Sequence, residues 1–252
     1  MQFEVSDLLF PGFTKDAMKR LDKQYGIEFF YEFGKDYYWK QQVEKKWGER
    51  ALSIHAPCVA LNLADSKQKN YARVIEKTFA YAQKCKADFV VVHTNEAIEG
   101  DKELLRGRVI RRLRQVMNLG KRYGVKVLIE NVGLRTKNNV LFDLPEYIAL
   151  FDIFPQAGAL LDTGHAHVNG WDIPAVVKVL GERLTACHVH DNDGSGDAHL
   201  PVGQGDIDWK AYFGAVKKYA PQATQVFEYC CGFNNTKDLE AHIAELKRNY
   251  KL

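Results

Sequence analysis

The sequence has no long hydrophobic run, no paired CxxC cysteines and no large excess of one charge, and each absence removes a class of protein. No window approaches the ~18 consecutive apolar residues of a membrane-spanning helix, so no membrane association is expected. The five cysteines, Cys58, Cys85, Cys187, Cys230 and Cys231, are odd in number and irregularly spaced. That pattern argues against a disulfide framework or a structural zinc knot and predicts reduced thiols in a cytoplasmic protein. With 35 Lys and Arg against 32 Asp and Glu, the formal charge of +3 is too near balance to advertise nucleic-acid binding. A GxGxxG turn is also missing, since the first apolar segment runs into Leu8, Leu9, Phe10 and Pro11, which disfavours a doubly wound dinucleotide-binding sheet. The opening MQFEVSDLLFP is broken by Glu4 and Asp7 and reads as a strand, not a signal peptide. No linker, repeat or low-complexity stretch divides residues 1–252, so one domain is expected.

What is present is a regular alternation. Of the 252 residues 46% are hydrophobic and 27% charged, enough to build a full-sized core. Short apolar segments recur at Phe3 to Ser6, Gly26 to Phe33, Ala51 to Ala56, Phe89 to His93, Val125 to Glu130, Ala157 to Asp162, Leu184 to His190 and Thr224 to Tyr229. Helical patterns separate them. In Lys102 to Tyr123, Leu105, Val109, Leu113, Val116 and Met117 share one face, and Arg108, Arg111, Arg112 and Arg122 are expected on the solvated one. Asp143 and Glu146 have capping-box spacing ahead of Tyr147, Ile148 and Phe151. Eight strand-helix units in a chain of this length predict an α/β fold, a (β/α)8 TIM barrel.

Polar residues cluster at the ends of these strands. Seven of the eight histidines, His55, His93, His165, His167, His188, His190 and His199, fall at or just beyond a strand's C-terminal end; only His242 falls within a helix. Glu130, Asp162 and Glu228 close apolar strands, and Asp191 and Asp197 follow the seventh. In a barrel these ends converge on one face. An unpaired carboxylate in the core is too costly, whereas imidazoles and carboxylates in one depression suit a divalent metal such as Zn²⁺ or Mn²⁺. Period-two alternation puts His188 and His190 on the same face, and Asp197 and His199 are separated by one residue. Asp162 and His165 straddle a turn that Gly164 is expected to tighten, with His167 as a further ligand, substrate contact or orienting group.

The segments SIHAP at 53–57, VVH at 91–93, LIEN at 128–131, LDTGHAHVNGWD at 161–172, CHVHDNDGSGDAHLPVGQGDIDW at 187–209 and FE at 227–228 together resemble the xylose-isomerase-like TIM-barrel superfamily. It holds sugar isomerases and epimerases as well as multi-metal apurinic/apyrimidinic endonucleases. The isomerase resemblance implies one cation held by Glu130, Asp162, His188 and Glu228, with the two glutamates facing opposite sides of the substrate. The endonuclease resemblance adds His55, His93, His165, Asp197 and His199 and implies three zinc ions. TNEAIEG after His93 and ENVGLRT after Ile129 depart from the endonuclease pattern. Gly194 stands where some sugar 3-epimerases carry a substrate-binding arginine.

Three functions follow as expectations. The first is a divalent-metal-dependent isomerase or epimerase of a sugar, sugar phosphate or polyol-derived keto compound. In it Glu130 and Glu228 exchange a proton with substrate carbon, His165 and His190 bind hydroxyls, and Phe10, Trp39 and Trp171 line the mouth. The second is a zinc-dependent apurinic/apyrimidinic endonuclease, its DNA track supplied by Lys35, Lys40, Lys45 and Lys46 interleaved with Tyr37, Tyr38 and Trp39. The third is a non-enzymatic metabolite-binding barrel.

Overall fold

A computed structural model describes the backbone of residues 1–12, 20–34 and 49–252. The expected mouth residue Trp39 and the expected DNA track of Lys35, Tyr37, Tyr38, Lys40, Lys45 and Lys46 lie outside the described residues, as does the side chain of Phe10. Eight parallel strands close into a barrel: β1 (Phe3–Ser6), β2 (Gly26–Phe30), β3 (Leu52–His55), β4 (Val90–Val92), β5 (Val127–Glu130), β6 (Gly158–Asp162), β7 (Leu184–Val189) and β8 (Thr224–Phe227). Each pairs with the next, and β8 pairs back onto β1. All eight lie within the segments read from the sequence. β2 is shorter than expected because the chain turns helical at Tyr31–Gly34.

Period-two alternation divides each strand between two environments. Outward residues such as Val5, Ile27, Phe29 and Ile54 pack under the helices. Inside the barrel an apolar plug forms from Phe89, Val91, Leu128, Leu160, Ala186 and Val226. The inward positions of β1 to β3 are polar instead, with Glu4, Ser6, Glu28 and Ser53 all fully buried. Ser53 donates to Glu4 Oε2 and Gln2 Nε2 to Glu4 Oε1, while burial pushes the Glu4 carboxyl up to about 8. The protonated acid is therefore the form that this layer holds near neutrality.

The outer layer includes α1 (Tyr71–Cys85), α2 (Lys102–Tyr123), α3 (Leu144–Ile153), α4 (Thr163–Val168), α5 (Ile173–Leu180), α6 (Trp209–Tyr219) and α7 (Thr236–Tyr250). Among the described residues no helix is long and apolar enough to cross a membrane. The Asp101 side chain caps α2 by accepting from Leu104 N at 2.9 Å, and Gly124, at φ +65°, ends it. The capping box at α3 forms as its spacing implied, with Asp143 N donating to Glu146 Oε2 and Glu146 N to Asp143 Oδ1.

One expectation for α2 fails. Arg112 does not lie on a solvated face but is 7% exposed, and its guanidinium donates to the carbonyls of Leu63, Asp65 and Gln68. It also stacks on the Tyr71 ring at 4.5 Å, while Arg108 donates to Ala64 O. The physical reason is that the loop after β3 passes over α2 and needs donors for carbonyls turned away from water. Arg112→Ala should lower the unfolding free energy by about 2 kcal/mol, because it leaves buried acceptors unsatisfied. Arg111→Ala, on the exposed side of the same helix, should stay within ~0.5 kcal/mol of wild type. Urea denaturation midpoints of the two variants check this.

Candidate metal centre and active site

The C-terminal ends of β3 to β8 bring nine acids and imidazoles together at the barrel mouth. Parallel pairing in register sets Asp162 beside His188, and β8 delivers Glu228 on the other side of β7. His188 is fully buried, and its Nδ1 faces Glu228 Oε2 at 3.4 Å, Glu130 Oε1 at 3.7 Å and Asp162 Oδ2 at 3.7 Å. These four residues are the expected central ligand set. On one flank His93 Nε2 and His55 Nε2 approach Glu130 Oε2 at 2.9 and 3.4 Å. On the other, Asp197 Oδ2 lies between His165 Nε2 at 3.2 Å and His199 Nε2 at 3.1 Å.

The backbone sets the orientation of three of these rings. His55 Nδ1 lies 2.7 Å from Ala56 O, His165 Nδ1 3.0 Å from Asn131 O, and His199 Nδ1 2.9 Å from Glu228 O. A carbonyl only accepts, so each Nδ1 carries the proton. In a neutral ring that leaves the Nε2 lone pair aimed at a carboxylate. Two lone pairs at 3.1 to 3.4 Å repel unless a cation or a second proton stands between them. Buried atoms without a hydrogen-bond partner, His188 Nδ1, Glu130 Oε2 and Asp197 Oδ1, point the same way. The donor set of imidazoles and carboxylates fits a divalent metal.

Electrostatics in the metal-free protein follow from the same contacts. Burial opposes ionisation of Glu130, but His93 and His188 overcome it and hold the carboxyl well below its usual range. Asp162 and Asp197 are likewise depressed, against burial, by their histidine neighbours. Glu228 differs: burial pushes it up to about 7, the imidazoles of His188 and His199 only partly countering. Burial disfavours the charged ring of His199, yet its hydrogen bond to Asp197 and the charge of Glu228 raise it to about 9.

The remaining candidates have different neighbours. His190 is fully buried; its Nε2 contacts Asp162 Oδ2 at 3.0 Å and its ring stacks on His199 at 4.0 Å between centroids. Gly164 is required for that approach and not for a tight turn. A Cβ there would lie 2.0 Å from His190 Cε1, while the residue sits within α4, which Asp162 caps by accepting from His165 N at 2.7 Å. Asp191 stands apart from the cluster and anchors the following loop, accepting from Gly203 N, Ile207 N and Trp209 Nε1. Trp171 packs on Tyr147 at 6.0 Å, away from the mouth cavity, and His167 lies beside Gly194. A cavity of about 300 Å³ opens above the cluster, bounded by Phe30, Val59, Asn95, Lys137 and Asn139 and by the site's acids and histidines other than Asp162 and His188.

Sequence reasoning missed two residues. Glu28, on β2, places Oε1 3.0 Å from His188 Nε2, behind the central ring. Its inward position in an alternating strand was the signal. Cys58 borders the cavity next to His55 and His93.

A closed eight-stranded parallel barrel with acids and imidazoles gathered at its C-terminal mouth defines a TIM barrel with a candidate metal site. The chain belongs to the xylose isomerase-like TIM barrel family, whose model matches residues 23–249. Among curated relatives it is 27% identical over 173 residues to the uncharacterized protein MJ1614 of Methanocaldococcus jannaschii, a stretch covering 66% of this chain and 66% of that protein. A D-tagatose 3-epimerase-like protein is similar in structure, with a TM-score of 0.80, 20% identity and coverage of 100% of this chain and 98% of that one. The IOLI protein with a binding zinc atom gives a TM-score of 0.78 at 15% identity, covering 99% and 98%.

A pH dependence follows from the charges. Glu228 is raised, so its contribution to stability is full below its ordinary value of 4.5 and is lost as pH rises through about 7. His199 is also raised; its contribution is full below 6.5 and is lost through about 9. The depressed acids Glu130, Asp162 and Asp197 act oppositely, losing their contribution only in strong acid. Metal-free protein should therefore lose thermal stability as pH rises from about 4.5 to about 9, through Glu228 first and through His199 above about 6.5, and saturating Zn²⁺ or Mn²⁺ should reduce that loss. Melting curves at each pH, with chelator and with metal, check it.

Proposed function

We propose that the protein is a divalent-metal-dependent isomerase or epimerase acting on a sugar, sugar phosphate or polyol-derived keto compound by proton transfer. The observation that carries this reading is the pair Glu130 and Glu228. Both are buried around His188 and border the cavity, and their surroundings push them in opposite directions. Such a split assigns different protonation tasks to two carboxyls of one site.

Glu130, Asp162, His188 and Glu228 would hold the cation, zinc or manganese by their chemistry. When bound, it polarises the substrate carbonyl and spreads the negative charge that develops on oxygen. Glu130, held ionised, is matched to taking a proton from the carbon beside that carbonyl, and Glu228, near 7 and partly protonated at neutrality, stands across His188 to deliver one. His165, part-exposed at the mouth, is placed to bind a substrate hydroxyl. His190, with no exposed surface, fixes Asp162 instead. Lys137 and Asn139 offer polar contacts from the cavity wall. Phe30, stacked on His55, presents an apolar edge to the sugar. The epimerase-like and zinc-binding relatives in structure support the same chemistry.

A zinc-dependent endonuclease is the second reading, favoured by one observation: all nine positions of the trinuclear pattern meet at the mouth. The two reactions differ in whether a carbon proton moves. Glu228→Gln should abolish sugar conversion and incorporation of solvent deuterium at substrate carbon, with metal content measured in parallel so that ion loss is separated from loss of the proton-transferring carboxyl. Absence of turnover and exchange over a broad panel of ketoses, aldoses and keto-polyols, together with zinc-dependent cleavage of abasic DNA, would transfer the assignment to the endonuclease.

A further inference from the structure

Cys58 lies on the loop after β3, and nothing in the catalytic reading uses it. Three backbone amides hold this loop on one carboxylate: Cys58 N and Val59 N each donate to Glu32 Oε2 at 3.0 Å, and Ala60 N donates to Glu32 Oε1 at 2.7 Å. The thiol is therefore held at the cavity wall by a fixed turn, and the residue is 8% exposed and unbridged. Its sulfur, a ring nitrogen of His55 and a ring nitrogen of His93 all lie within 4.8 Å of one another. Glu130, 2% exposed, turns Oε2 toward the two imidazoles of this group, 2.9 Å from His93 Nε2 and 3.4 Å from His55 Nε2, with no hydrogen-bond partner. His55 Nε2 carries a lone pair there, because its Nδ1 proton goes to Ala56 O.

We infer that Cys58 is a metal ligand, completing with His55, His93 and Glu130 Oε2 a thiolate-containing site for a zinc-class cation beside the central one. Two imidazoles, a sulfur and a carboxylate oxygen form the four-donor set that zinc takes in tetrahedral coordination. Binding replaces the S–H bond with a metal–sulfur bond and releases the proton to solvent. In the metal-free protein burial, then the charges of Glu32 and Glu130, hold the thiol above its usual range, so a nucleophilic role is disfavoured. The central set, three carboxylates and one imidazole, accepts manganese or zinc, whereas sulfur selects against magnesium and manganese. The two neighbouring sites thus differ in softness and share Glu130, one oxygen to each.

The site shares Glu130 with the reaction assigned above, but it is tested without turnover. Chelator-treated protein is titrated with Co²⁺ alone. Wild type should develop a thiolate-to-cobalt charge-transfer band in the near ultraviolet. Cys58→Ser should lose the band while keeping the visible spectrum of cobalt at the central site. A Cys230→Ser/Cys231→Ser double variant, which removes the two exposed thiols, should keep it. Competition with a chromophoric chelator should show one zinc bound more weakly in Cys58→Ser, by more than the ~10–100-fold that loss of an outer-shell partner brings. X-ray absorption of zinc-loaded wild type should show a sulfur neighbour, a readout that does not depend on any variant folding. Absence of the band at saturating cobalt, its persistence in Cys58→Ser, or zinc coordination by nitrogen and oxygen alone would overturn the assignment.

Discussion

The organising constraint is the burial of carboxylates around a single imidazole at the barrel mouth. Glu130, Asp162 and Glu228 all approach His188 Nδ1 within 3.7 Å, and all are almost without exposed surface. Desolvated like charges cannot share such a space unless positive charge is supplied. The protein supplies part of it through protonated histidines, which is why His165 and His188 are held well above their ordinary values. A divalent cation supplies it more compactly and leaves the rings free to coordinate.

Much of the surrounding structure keeps this arrangement from relaxing. Asn131 and Asp162 are joined twice, Asp162 N donating to Asn131 Oδ1 and Asn131 Nδ2 to Asp162 O. Thr163 Oγ1 donates to the carbonyls of His188 and His190, tying the ends of β6 and β7 together. His199 has a left-handed backbone, φ +45°, next to Leu200, which exchanges both backbone hydrogen bonds with Asp191. That conformation is uncommon outside glycine, and the loop anchored on Asp191 sustains it. Glu28 stands behind His188, its Oε1 3.0 Å from Nε2, a contact that fixes which ring nitrogen faces the mouth.

The proposed proton transfer turns on asymmetry within this shell. His93 and His188 hold Glu130 ionised, while burial keeps Glu228 near neutrality. Two carboxyls of the same type, on strands nearly opposite in the barrel, thereby acquire different proton affinities from their neighbours alone. The flanks differ as well: one carries a thiol beside two imidazoles, the other only Asp197 between two imidazoles.

By itself the sequence determined the number and order of strands, the span and apolar face of α2, the capping box at α3 and the gathering of polar residues at strand ends. These are local or periodic properties: an apolar segment flanked by helical patterns has few ways to be covered, and closure of eight such units brings their ends together whatever the loops do. Other features were decided only by tertiary structure. Arg112 looked like a surface arginine until the loop after β3 was laid over it. Gly164 looked like a turn glycine until His190 was placed 2.0 Å from where its Cβ would be. Asp191 and Asp197 looked equivalent, yet the first bonds backbone amides and an indole while the second joins two imidazoles. Glu28 and Cys58 gained neighbours from β7 and β4 that no spacing along the chain encodes. The reason is common to all of them: a polar side chain's role is set by the partners that compete to satisfy it, and those partners come from strands far apart in sequence.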